Sequence, residues 1–98
     1  MNIEVPADRI EAFCRKWQIR EFALFGSVLR DDFRPDSDVD VLVTFDEDAQ
    51  YSLFDLGEMN MELEAMFGRR VDLVQKELIE NPFRRHHILA NHRVVYAV

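Results

Sequence analysis

Two periods of apolar residues alternate along this chain. Ile10, Phe13, Cys14 and Trp17 recur every three or four positions, the spacing of one helix face, and Pro6 stands where a first helix can open. Residues 21–25, EFALF, then read as a short strand stopped by Gly26-Ser27, with a brief helical turn over Val28 to Asp31 and a tight turn at Arg34-Pro35-Asp36-Ser37. Val39 to Phe45 reads as the next strand. Ser52 and Asp55 form an S-x-x-D capping box at the head of a helix whose Leu53, Leu56, Met59, Leu63 and Met66 fall at steps of three or four. Gly68 supplies its left-handed stop. A strand over Val71 to Val74 follows, then a helix from an Asn81 cap and Pro82 through about Leu89, and a closing strand over RVVYAV. Helices and short strands in alternation predict an α/β layer fold and leave the strand order open.

Composition narrows this to a compact soluble protein. The 98 residues are 48% hydrophobic and 32% charged with three Gly and three Pro, which excludes a disordered tail or a fibrous repeat and predicts a single domain over 1–98. The lone Cys14 has no partner for an internal disulfide, and no Cys/His cluster has zinc spacing. No apolar run is long enough for a membrane span or a signal-peptide core, so the expected location is the cytoplasm, with no membrane partner. Charge is distributed unevenly. Residues 31–64 carry twelve Asp/Glu against Arg34 alone, a net −11, while the remainder is +4. Such a field repels bare nucleic acid and attracts divalent cations or basic protein surfaces; a merely solvated acidic face is the alternative.

Asp38 and Asp40 are the exception to the apolar pattern. Strand alternation sends Asp38, Asp40 and Leu42 to one face and Val39, Val41 and Val43 to the other, so two carboxylates project together. Carboxylates enter a core only when paired, hydrogen-bonded or holding a metal, and oxygen ligands of this kind suit Mg²⁺ or Mn²⁺. A solvent-facing strand edge would also explain a single D-x-D. Asp72, inside the apolar strand VDLV, would join them if the two strands were neighbours. Gly26 and Ser27, after a strand and before a helical turn, could cradle phosphate oxygens or could simply form a turn.

Taken together, these residues carry a signature. Gly26-Ser27 is followed by ten residues and then by Asp38-Val39-Asp40, and the block GSVLRDDFRPDSDVDVLV resembles the minimal nucleotidyltransferase (MNT) branch of the polymerase-beta-like nucleotidyltransferases. Leu29 and Asp31 replace the Ala and Gly usual in that branch; Asp31 adds negative charge beside the turn. The resemblance implies a minimal nucleotidyltransferase fold, a small mixed sheet flanked by helices. It implies Asp38, Asp40 and Asp72 as metal-binding and catalytic residues, Gly26, Ser27 and Arg30 at the nucleotide, Mg²⁺ or Mn²⁺ as cofactor and ATP as substrate. Arg30 is equally placed to pair with the acids of Asp31–Asp36. A chain of this size resembles the antitoxin of HEPN/MNT toxin–antitoxin pairs, which implies AMP transfer to a tyrosine of a HEPN ribonuclease within a hetero-oligomer. A non-catalytic antitoxin that blocks by binding, and a nucleotidyltransferase acting on a small molecule or RNA, are the rival expectations. Arg84-Arg85-His86-His87 reads as solvated surface, or as a contact to RNA, a nucleotide base or a partner. His92 has no readable partner, and Cys14 reads as a small core hydrophobe.

Overall fold

A computed structural model of the chain describes residues 3–98. Helix α1 spans Ala7–Lys16, and the Pro6 carbonyl accepts its first intrahelical hydrogen bond from Ile10. Strand β1, Ile19–Phe25, begins two residues earlier than the apolar run predicts, because Gln18 at φ 53° turns the chain back at once after Trp17. Strand β2 is Val39–Phe45, α2 is Leu53–Phe67, β3 is Val71–Gln75, α3 is Pro82–Ala90 and β4 is His92–Ala97. Short 3₁₀ turns occupy Gly26–Leu29 and Lys76–Leu78.

The helix ends behave as their sequences dictate. Ser52 and Asp55 close a reciprocal capping box, Gly68 adopts φ 71° behind α2, and the Asn81 side chain accepts from the Phe83 and Arg84 N–H groups ahead of α3. One expectation fails locally. Leu53 does not join the core face of α2 but stands 85% exposed beside Phe54. Side chains on a helix lean toward its N-terminus, so a first-turn residue overhangs the end of the packed surface.

The four strands form one mixed sheet in the order β3-β2-β1-β4. β1 runs antiparallel to both β2 and β4, while β2 and β3 are parallel, joined by the α2 crossover. On one face Phe22, Leu24, Val39, Val41, Val43 and Val71 pack with Ile10, Phe13, Cys14 and Trp17 of α1 and Met59 and Leu63 of α2. On the other face Ala23, Phe25 and Leu42 pack against Ile79 and Ile88. Cys14 belongs to the first layer; burial pushes its thiol up to about 12, which leaves it protonated and unreactive at neutral pH. Met59 fills the core, Met66 packs at its margin and Met61 is exposed. Among the described residues no helix is long and apolar enough to cross a membrane.

Candidate active site

The alternation along β2 divides its work between two faces. Val39, Val41 and Val43 are fully buried under α1 and α2, which leaves Asp38 and Asp40 on the side that α3 covers only in part. The parallel register sets Asp40 opposite Asp72 of β3, and residues directly opposed on neighbouring strands share a face. The strands are therefore neighbours, and the three carboxylates gather at one end of the sheet. Burial raises the Asp40 carboxyl above its ordinary range, and Asp72 and then Asp38 raise it further by repulsion; Arg30 and a hydrogen bond from the Ser27 backbone N–H act in the opposite direction.

The Gly26-Ser27 turn stands directly against this acid. Gly26 has φ +74°, and a Cβ placed on it would lie 2.2 Å from Asp40 Oδ2. Glycine is thus required twice, by the left-handed backbone and by the carboxylate pressed against it. The turn starts at Gly26 rather than at Val28, so the Ser27 N–H lies at its mouth. Arg30 leaves the turn in extended backbone, its Nε 3.2 Å from Asp32 Oδ1, which realises the ion pair with the neighbouring acids.

Gly26, Ser27, Arg30 and Asp40 line one cleft of about 550 Å³. Asp38 and Asp72 lie outside its wall, and Asp38 Oδ1 is 3.1 Å from Arg70 Nε. The opposite wall is Arg84, His87, Ile88 and Asn91 of α3, with His92 at the start of β4; of these, Arg84 and His87 read in the sequence as solvated surface or as a contact to RNA, a nucleotide base or a partner. His92 does have a partner, since its Nδ1 lies 2.8 Å from the Leu89 carbonyl. The spacing 84, 87, 88 and 91 is one helix face, and that period was the signal available in the sequence.

The donor set fits a hard divalent cation. Asp72 and Asp38 both repel the Asp40 carboxylate, and that repulsion is what a bound cation would relieve. The side chains are not drawn into a closed shell: among the described residues no group of three His, Cys, Asp or Glu stands ready to hold a metal ion. Asp38 is turned to Arg70 instead.

A glycine turn pressed on the strand-borne Asp40 thus faces a cleft lined by Arg30 and Arg84. The chain belongs to the nucleotidyltransferase domain family, whose model matches residues 9–95. The protein adenylyltransferase MntA of Thermococcus cleftensis is 42% identical over 66 residues, a stretch that spans 67% of this chain and 65% of that relative. A solved structure of a candidate minimal nucleotidyltransferase superposes with a TM-score of 0.71 at 31% identity, covering 88% of this chain and 85% of that one. Two complexes match at lower identity and show the fold alone. In a toxin–antitoxin crystal structure with AMP-PNP the matching chain has a TM-score of 0.76 at 17% identity, covering 96% and 75% of the two chains. In that of a tri-AMPylated Shewanella oneidensis HEPN toxin with its MNT antitoxin the values are 0.67 and 16%, covering 94% and 70%. The minimal nucleotidyltransferase fold expected from the sequence is the one observed.

Proposed function

We propose that this nucleotidyltransferase is a cytoplasmic antitoxin, a single domain over 1–98, that transfers AMP from ATP to a tyrosine of a HEPN ribonuclease held in a hetero-oligomer with it. The observation that carries the reading is the register that sets Asp40 beside Asp72 and against Gly26-Ser27. The Thermococcus relative named as a protein adenylyltransferase supports it, as do the two toxin–antitoxin complexes of the same fold. Asp38, Asp40 and Asp72 would hold Mg²⁺ or Mn²⁺, which when bound neutralises charge on the attacking and leaving oxygens. The Ser27 hydroxyl and the backbone of the turn bind the phosphates. The tyrosine oxygen bonds to the α-phosphorus, the bond to the bridging oxygen of the β-phosphate breaks, diphosphate leaves, and Asp72 takes the hydroxyl proton.

The acidic stretch 31–64 suits docking of a basic partner. Co-incubation with the HEPN partner, ATP and Mg²⁺ should add mass in units of AMP to a partner tyrosine and suppress its ribonuclease activity, measured by intact-protein and peptide mass spectrometry. Asp40→Ala should end the modification and leave docking intact. A second reading, inhibition by binding alone, is favoured by the Asp38–Arg70 ion pair and the open ligand set. It replaces the first if wild type and Asp40→Ala silence the partner equally with no change in its mass.

A further inference from the structure

The row of opposed residues that contains the acids runs across all four strands. Phe25 of β1 lies opposite Asp40 on one side and opposite His92 of β4 on the other, so Asp72, Asp40, Phe25 and His92 form one line on the face that α3 covers. His92 fastens the end of α3 to this line. A carbonyl only accepts hydrogen bonds, so the nitrogen 2.8 Å from the Leu89 oxygen carries the proton. The Asn91 amide reinforces the same corner, donating to the His87 carbonyl at 2.9 Å. Helix α3 is thereby held with Arg84 and His87, one turn apart, along the cleft wall across from Gly26-Ser27.

The neighbours of these two residues show that the placement is selective. Arg85 points away from the cleft and donates to the Lys76 carbonyl at 2.8 Å, and His86 lies on the far side of α3 with Pro82 and Leu89. Arg84 and His87 are exposed and face a cleft whose other side carries Asp40 with its two neighbouring acids. A polyphosphate entering there meets repulsion at the acid end and needs cationic donors at the other. Arginine serves this role best, because its planar fork matches phosphate oxygens two at a time.

We propose that Arg84 and His87 form the polyphosphate-recognition wall of the cleft, binding the β- and γ-phosphates of a nucleoside triphosphate opposite the Gly26-Ser27 turn. The proposal rests on the nucleotide-transfer reading and adds to it the residues that distinguish a triphosphate from a monophosphate. It also gives a place in the site to Arg84 and His87, which read in the sequence as solvated surface or as a contact to RNA, a nucleotide base or a partner.

The test is isothermal titration of the full chain with inorganic tripolyphosphate and, separately, with AMP, both with Mg²⁺. Wild type should bind tripolyphosphate, and Arg84→Ala with His87→Gln should weaken that binding about 10-fold or more, the scale of one lost charge-assisted hydrogen bond. Binding of AMP should be unchanged, and Arg84→Lys should recover part of the loss. Arg93→Ala should have no effect, because Arg93 pairs with Leu24 on the opposite face of the sheet. Unchanged far-UV circular dichroism and urea midpoint, expected for exposed residues, exclude unfolding. Equal tripolyphosphate binding by wild type and the double variant overturns the wall while leaving the transfer reading standing, provided Mg-ATP still raises the melting temperature of wild type. Failure of wild type to bind either tripolyphosphate or Mg-ATP overturns both.

Discussion

Gly26→Ala offers the sharpest test of how this site is built, because two separable costs act on one methyl group. The first is backbone: at φ +74° an L-residue is held in the left-handed region, at a cost of about 1–2 kcal/mol. The second is contact: the new Cβ would lie 2.2 Å from Asp40 Oδ2 and 3.2 Å from its Cγ, so the carboxylate must swing away and lose the Ser27 N–H bond. A hydrogen bond to a charged acceptor contributes about 1.5–3 kcal/mol, and at this half-buried position water restores part of it. The single substitution should therefore destabilise by about 2–4 kcal/mol in urea denaturation. In an Asp40→Ala background the offending atoms are gone and Asp40 Cβ, at 3.6 Å, is in ordinary contact, so the same change should cost only about 1–2 kcal/mol. The double-mutant cycle should thus return a coupling of about 1–2 kcal/mol between two residues fourteen positions apart. Equal costs in the two backgrounds would refute the claim that the carboxylate dictates the glycine.

Two further outcomes follow from the charges. Asp40 holds its proton more tightly folded than unfolded, so its contribution is a penalty that grows as pH rises from the ordinary value of 3.8 through the raised folded value and is fully present above it. Asp40→Asn should accordingly be at least as stable as wild type at neutral pH, and its advantage should shrink as the pH of the urea titration falls toward 3.8; a gap independent of pH would contradict the repulsion. Arg70→Ala removes an exposed ion pair worth about 0–1 kcal/mol, so the urea midpoint should barely move. The released Asp38 should bind Mn²⁺ more tightly by calorimetry, and weaker binding would show that Arg70 supports the acid rather than competes for it.

Which parts of this site could be read from the sequence depends on how local their causes are. Gly26-Ser27 and Asp38-Val39-Asp40 are set by a turn and by strand alternation, both of which act over a few residues, and β2 lies where the alternation puts it. Asp72 is conspicuous as a charge on an apolar strand, yet its position opposite Asp40 depends on the α2 crossover making β2 and β3 parallel neighbours. Arg84, His87 and His92 belong to the cleft only because β4 pairs with β1 and carries α3 back over the sheet. On a nine-residue helix such residues look like solvated surface until that long-range pairing is known. The same distinction explains Leu53, whose periodicity is right but whose position lies beyond the edge of what α2 covers.

The core and the site are bound together by a single register. On β2 the valines alternate with Asp40 and Leu42, so the packing that buries Val39, Val41 and Val43 completely also determines that Asp40 faces the cleft. A slip of one residue against β1 would send the acids into the α1–α2 layer and the valines toward α3. Each buried valine is worth about 1.5–3 kcal/mol and each buried unpaired carboxylate costs several, so the slipped state is disfavoured by an amount comparable to the whole stability of a domain this size. The repulsion that Asp72 and Asp38 exert on Asp40 is thereby sustained by hydrophobic packing on the opposite face of the sheet. Activity should consequently be lost through core substitutions at Val41 as surely as through Asp40, but with a lowered urea midpoint that Asp40→Asn does not share.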